Sequence, residues 1–292
     1  MSQIAGVVPN FSEGRRPNVI GAIESSLDVP GARLVHAEAD PDHNRLDTTV
    51  LGPLDACYLS AMAGALKAIE LIDMTRHQGG HPRMGAADVI PFMPVRGATI
   101  EECVDAARRF GSELAATADV PVYLYGDAAL DPDRRSLAAV RKGEYEGLKA
   151  SVERGERLPD FGPHELGRAG ATAVGARKPL VAFNVYLTGD EQEAKEIARA
   201  IRESSGGLPA LRAIGFAVPS RGCVTVSMNL VDFEVTPPRA AFEAVAEMGG
   251  EPLMRKTTPR RRCVRNEPFW HCGQRWPLCN AGWLTWIHRA PM

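Results

Sequence analysis

Short apolar runs alternate with amphipathic stretches along the first 250 residues. Ile4–Phe11 is an apolar run closing on the turn-rich Pro9-Asn10-Phe11-Ser12-Glu13-Gly14. Pro17–Leu27 opens on proline, which suits the first helical position because its missing N–H would be unpaired there anyway. Arg33–Ala39 and Thr48–Leu51 read as strands around the polar loop Asp40-Pro41-Asp42-His43-Asn44-Arg45. Leu54, Tyr58, Met62, Leu66 and Ile69 recur at helical spacing over Leu54–Ile72. Ile100, Val104, Ala107, Phe110 and Leu114 do the same over Ile100–Ala116. Between these helices Val89–Val95 predicts a strand interrupted by prolines, and Pro121–Gly126 follows as a short β-branched and aromatic strand.

The pattern then starts again. Leu180–Leu187 predicts a buried strand. Glu191–Glu203 predicts a helix with Ala194, Ile197, Ala198 and Ile201 inward and a Glu191/Lys195 pair outward. Leu211–Ala217 and Cys223–Leu230 read as strands and Pro238–Met248 as a helix. The order β-α-β-β-α is that of a split βαβ, and the first unit begins in the same order. The expected fold class is therefore α+β: two tandem ferredoxin-like subdomains, 1–178 and 179–250, the second incomplete at its C-terminal end. Residues 251–292 form a separate, atypical tail.

Composition sharpens that last division. The 292 residues carry 34 Lys+Arg and 36 Asp+Glu, a net charge of −2. Residues 251–292 hold 8 basic and 2 acidic residues, a net of +6, which leaves −8 on the first 250. All four tryptophans (270, 276, 283, 286) and three of the six cysteines lie in this tail. It shows no periodicity and predicts irregular chain. Cys263, Cys272, Cys279 and His271 lack a C-x-x-C pair and make a poor zinc set. Arg260–Arg262 among tryptophans is the one feature suggesting nucleic acid, against an acidic remainder that would repel phosphates. No apolar run is long enough for a membrane span, and the N-terminus has no signal-peptide pattern, so the expected location is the cytoplasm. With 45% hydrophobic residues the chain needs neither disulfide nor metal to build a core.

Candidate chemistry concentrates in Arg76-His77-Gln78-Gly79-Gly80-His81-Pro82-Arg83-Met84-Gly85-Ala86. His77 and His81 are four apart, the spacing of a helical metal pair, but Gly79-Gly80 between them argues for a loop that presents His81 and Arg83 from a constrained backbone. A histidine titrating near neutrality suits acid/base work. Gly170-Ala171-Thr172-Ala173-Val174-Gly175-Ala176-Arg177-Lys178 is glycine-spaced but lacks the Gly-Lys-Ser/Thr ending of a phosphate loop.

Eight segments together resemble the glutamate formimidoyltransferase family: VPNFSEGR (8–15), DHNR (42–45), HQGGHPRMGAADVIPFMPV (77–95), PVYLYGDAA (121–129), RKGEYEGL (141–148), PDFGP (159–163), GARKPLVAFNVYL (175–187) and GGLPALRAIGF (206–216). The resemblance spans residues 3–247 and implies transfer of a formimidoyl group from N-formimidoyl-L-glutamate to tetrahydrofolate, in histidine degradation, by a homodimer of two ferredoxin-like subdomains without a metal. It carries the family's catalytic histidine to His81. It also carries the folate-contacting segment to Asp160–Lys178: Asp160, Phe161, Gly162, Gly170, Ala171, Thr172, Arg177 and Lys178. A dicarboxylate donor calls for arginines that grip carboxylates in two-point fashion, for which Arg45 and Arg83 are the candidates. Asn10 is placed to fix the amidine, and Asp160 to pair with the 2-amino/N3–H edge of a pterin. Two other readings stay open: N-formyl-glutamate as donor, and a non-catalytic folate or nucleic-acid binding module. The tail departs from the family, which closes the second subdomain with a further strand and helix.

Overall fold

The computed structural model describes residues 3–218 and 222–248, so the expectations for residues 251–292 and for the closing of the second subdomain lie outside the described residues. The fold is mixed α+β, and the chain divides into two units, the first ending at Arg177 and the second beginning at Lys178.

The first unit is built on a seven-stranded sheet. Its elements are β1 (Ile4–Val7), β2 (Asn10–Phe11), α1 (Pro17–Ser26), β3 (Arg33–Asp40), β4 (Arg45–Gly52), α2 (Leu54–Leu71), β5 (Ala87–Arg96), α3 (Ile100–Ala118), β6 (Val122–Gly126), α4 (Leu137–Val140), α5 (Glu144–Glu153) and β7 (Thr172–Ala176). β1 and β2 both lie between β4 and β5, and β3 pairs with β4 on its other side. These pairings are antiparallel. Beyond β5 the sheet continues with β7 and then β6, both in parallel register.

The helices follow from local signals. Thr99 accepts from Glu102 N while the Glu102 carboxylate accepts from Thr99 N at 2.8 Å, a reciprocal cap at the start of α3. α2 and α3 press Tyr58 and Phe110 onto the β5 residue Phe92, with Phe92 and Phe110 ring centroids 5.4 Å apart. Each such fully buried phenylalanine is worth about 1.5–3 kcal/mol of apolar burial.

Two expectations need correction, and one stretch left unread acquires a place. The prolines do not interrupt β5. The Pro91 carbonyl accepts from Val8 N at 3.1 Å, in the break between β1 and β2, so the N–H that proline lacks falls where the ladder is already broken. The glycine-spaced stretch after Gly170, to which the pattern assigned no element, supplies a strand: Thr172–Ala176 is fully buried between β5 and β6. Its smallness is a packing requirement, since a Cβ on Gly175 would sit 2.6 Å from the Tyr125 ring. The polar loop after β3 is also shorter than the pattern suggested. Asp40 pairs with Arg45 across a hairpin whose turn is closed by Asn44 in the left-handed region (φ 51°).

In the second unit β8 (Val181–Leu187), α6 (Glu191–Ile201), β9 (Leu211–Val218), β10 (Cys223–Leu230) and α7 (Pro238–Glu247) form an antiparallel sheet of order β8-β10-β9. Ala194, Ile197, Ala198 and Ile201 are buried against it, and Glu191 pairs with Lys195 at 2.6 Å on the outer face. Gly215 permits close approach: a Cβ there would lie 2.2 Å from the backbone of Ala194.

Candidate active site

Three segments far apart in sequence meet at one end of the first sheet. The loop from Ile72 to Ala86 leaves α2 and enters β5. Its glycine pair lies on the β3–β4 hairpin. Gly80 N donates to Asp42 O at 3.1 Å, and a Cβ on Gly79 would come within 2.2 Å of His43 O. The contact is reinforced by Asn44 Nδ2 donating to Gln78 O at 2.9 Å and by His77 Nε2 against Asn44 O at 3.0 Å. Asn44 Oδ1 in turn accepts from Gly14 N at 2.9 Å, which ties in the segment after β2. There Glu13, buried, accepts from the N–H groups of Arg15 and Arg16. Ser12 Oγ donates to Gly85 O at 2.8 Å. The loop is therefore held in its middle and at its C-terminal end by hydrogen bonds that each engage a backbone group.

His81, half-buried, stands on this loop. Its Nδ1 lies 2.7 Å from Pro82 O, and a carbonyl can only accept, so Nδ1 carries the proton and Nε2 presents a lone pair. Burial, followed by the positive field of Arg45, draws the His81 pKa below histidine's ordinary value; the Pro82 bond opposes this more weakly. The neutral, basic form is thus the resting one. The His43 ring stands edge-on to it with centroids 5.9 Å apart, and His43 Nδ1 pairs with Asp40 at 2.9 Å. His77 is also drawn down, chiefly by burial, and its Nδ1 is enclosed without a partner.

Beneath His81 lies an ion cluster whose centre sequence reasoning missed. The register slips by one residue where β5 passes Asn10 and Phe11, so Asp88 is extra in the strand, the kind of bulge that re-aims a side chain. Asp88 is fully buried and accepts from Arg45 Nη1 at 2.7 Å, from Arg141 Nη2, and from Met84 N at 2.8 Å. Burial would raise its pKa, but the two guanidiniums and the Met84 N–H outweigh that and hold it below the usual carboxylate range. The signal was available: a lone aspartate inside the apolar run 86–95 must be paired if buried. Arg141 offered none beyond its place in the RKGEYEGL motif.

The remaining expected residues divide clearly. Arg45 joins the cluster and also contacts Asp47 at 3.0 Å and Asn10 Oδ1 at 2.5 Å; Asn10 Nδ2 is turned back to Val8 O. Asn10 and Arg45 are thus bonded to each other, and Arg45 is close enough to His81 for its charge to lower the His81 pKa. Arg83 is turned aside. Its terminal nitrogens reach Glu144 at 2.6 Å, both oxygens of Glu146 at 2.6 and 2.8 Å, and His77 O at 3.3 Å, so it braces the loop against the start of α5. Asp160 accepts from Leu124 N at 2.7 Å and Arg134 at 2.8 Å, while Val122 N donates to Phe161 O at 2.9 Å, covering the free edge of β6. Gly162 (φ 89°) lies against Val120 O. Gly170 (φ 71°) and Ala171 dock on Met84 and Gly85, directly behind the His81 loop, and Thr172 is buried at the start of β7. Arg177 N donates to Phe92 O at 3.1 Å, and Lys178, in the second unit, pairs with Asp232 at 2.6 Å. Among the described residues no three His, Cys, Asp or Glu side chains are grouped to hold a metal ion, and no helix is long and apolar enough to cross a membrane.

Comparison with known proteins adds to this geometry. A family model described as "Formiminotransferase domain, N-terminal subdomain" matches residues 4–177, and one described as "Formiminotransferase domain" matches residues 182–257. The chain is 45% identical over 251 residues to a formimidoyltransferase-cyclodeaminase of Mus musculus, covering 83% of this chain and 46% of that protein. It is 42% identical over 242 residues to a glutamate formimidoyltransferase of Thermoplasma acidophilum, covering 82% of this chain and 80% of that one. A glutamate formimidoyltransferase of Streptococcus pyogenes is 40% identical over 248 residues, with coverages of 84% and 83%. The matched region thus spans about half the length of the bifunctional relatives and most of the shorter ones.

Proposed function

The chain belongs to the formiminotransferase family, and from that premise we propose that it transfers the formimidoyl group of N-formimidoyl-L-glutamate to N5 of tetrahydrofolate, yielding 5-formimidoyltetrahydrofolate and glutamate. The observation that carries this reading is His81, neutral, with Nδ1 occupied by Pro82 O and Nε2 available. In the reaction a bond forms between N5 and the amidine carbon, and the bond from that carbon to the glutamate nitrogen breaks. A proton must leave the attacking amine and another must reach the departing one. His81 Nε2 accepts the first as a base and returns it as an acid, so no net proton is consumed. Arg45, hydrogen-bonded to Asn10, is proposed to face the acidic donor.

Tetrahydrofolate is the acceptor substrate. The segment from Asp160 through Phe161, Gly162, Gly170, Ala171, Thr172 and Arg177 to Lys178 is proposed to border its site. The backbone locks at Gly162 and Gly170 support a shape-defining role for that segment rather than a set of free side-chain donors. Two tandem ferredoxin-like subdomains, divided near residue 178, are the proposed architecture. The antiparallel order β3-β4-β1-β5 and the order β8-β10-β9 each match part of that fold. A cytoplasmic homodimer completes the proposal.

The test is turnover with tetrahydrofolate and either N-formimidoyl- or N-formyl-glutamate. Preference for the formimidoyl donor supports the reading; modification of tetrahydrofolate by neither donor ends it.

A further inference from the structure

Hydrogen-bond accounting separates the three arginines around His81. A guanidinium has five N–H donors. Arg83 commits all four of its terminal N–H bonds, to Glu144, Glu146 and His77 O. Arg45 commits three of five, to Asp47, Asp88 and Asn10. Arg141 commits one, to Asp88. Its Nε is enclosed without a partner, and its Nη1 makes no hydrogen bond among the described residues and is not sealed from solvent. The side chain is 13% exposed and is held in place by a carboxylate that is itself fully buried. Burial depresses the Arg141 pKa, and Asp88, shared with Arg45, only partly offsets this. A buried guanidinium that spends one donor and divides its counter-ion with a second guanidinium is short of negative charge, and a ligand carboxylate would supply it.

We propose that Arg141, not Arg83, is the donor-binding arginine, taking a carboxylate of the acidic donor while Asp88 fixes its orientation. The proposal rests on the transferase reading above and names which side chain gives it specificity for an acidic substrate. Arg83 then serves the site indirectly by bracing the loop that bears His81.

The test compares the wild-type full chain with Arg141→Gln and Arg141→Lys on three donors: N-formimidoyl-glutamate, N-formimidoyl-glutamine, which lacks the side-chain carboxylate, and N-formimidoyl-4-aminobutyrate, which lacks the α-carboxylate. A charge-assisted, two-point contact predicts a rise of about 10–100-fold in KM for N-formimidoyl-glutamate in Arg141→Gln, with KM for tetrahydrofolate moving less than about threefold. The penalty should shrink to less than about threefold on one of the two truncated donors, because the partner of Arg141 is missing from it. Arg141→Lys, which keeps the charge beside Asp88 but not the planar fork, should fold as wild type and still show raised KM. Calorimetric binding of glutamate, which needs no turnover, should weaken in parallel. An equal penalty on all three donors, or an unchanged KM in both variants, overturns the proposal. A wild-type enzyme inert on every donor overturns the transferase reading itself, which is a different result.

Discussion

Asp88→Asn tests the centre of the site more directly than any other single change. The wild-type carboxylate neutralises two guanidiniums and accepts a backbone N–H with no exposure to water. Asparagine keeps the shape but loses the charge, and its NH2 end becomes a donor facing either both guanidiniums, which share Oδ2, or the Met84 N–H at Oδ1. Arg45 retains Asp47 and Asn10, so most of the loss falls on Arg141, which has no other partner among the described residues. Removing one member of a buried ion pair costs about 3–5 kcal/mol, because the partner charge stays buried and unpaired. For a unit ending at Arg177, each kcal/mol moves the melting point by about 2–4 °C. The expected drop in calorimetry is therefore about 6–20 °C. The double variant Asp88→Asn/Arg141→Met removes the orphaned charge and should recover at least about 1 kcal/mol of that loss. A single-variant loss below about 1 kcal/mol, or simple additivity in the double variant, would refute the idea that Asp88 holds the two arginines. The same residue sets an acid limit. Its folded pKa lies below the unfolded value of 3.8, so its contribution to stability is complete above that value and is lost as pH falls through the folded pKa.

Three further outcomes follow from the loop that carries His81. His81→Ala should lower kcat by roughly 100-fold or more while tetrahydrofolate affinity, measured by fluorescence titration, changes only a few fold; near-normal turnover would remove His81 from the chemistry. Because the His81 pKa is drawn below 6.5, the acid limb of kcat/KM in wild type should bend below pH 6.5; a limb bending above 7 would contradict the burial and Arg45 field described here. Gly79→Ala places a Cβ 2.2 Å from His43 O, so the loop must shift off the hairpin; kcat should fall at least about tenfold, and a crystal structure of the variant with His81 unmoved would disprove that coupling.

What could be read from sequence and what could not divide on a physical line. Long amphipathic helices write their period in side-chain chemistry, so α2, α3 and α6 stand within a few residues of where their apolar stripes put them. β7 hides because a strand buried on both faces needs no alternation, and the Tyr125 ring against Gly175 demands smallness where strand formers would be expected. The site divides in the same manner. The loop bearing His81 was legible because two glycines and a proline around a histidine describe a constrained backbone, and the structure adds the reason: Gly79 lets the loop lie on the backbone of His43, where Gly80 N donates to Asp42 O. Arg83 suggested itself as a substrate contact because sequence shows a cation beside the histidine but not the two glutamates, more than 60 residues on, that it bonds. Arg141 is the converse, a cation unremarkable in sequence that acquires meaning only from the donors it leaves unspent. An arginine's availability is decided by its partners, and partners are a property of the fold. Candidate binding arginines are therefore better chosen by counting committed N–H groups than by proximity to a catalytic motif, and in this site the count leads from Arg83 to Arg141.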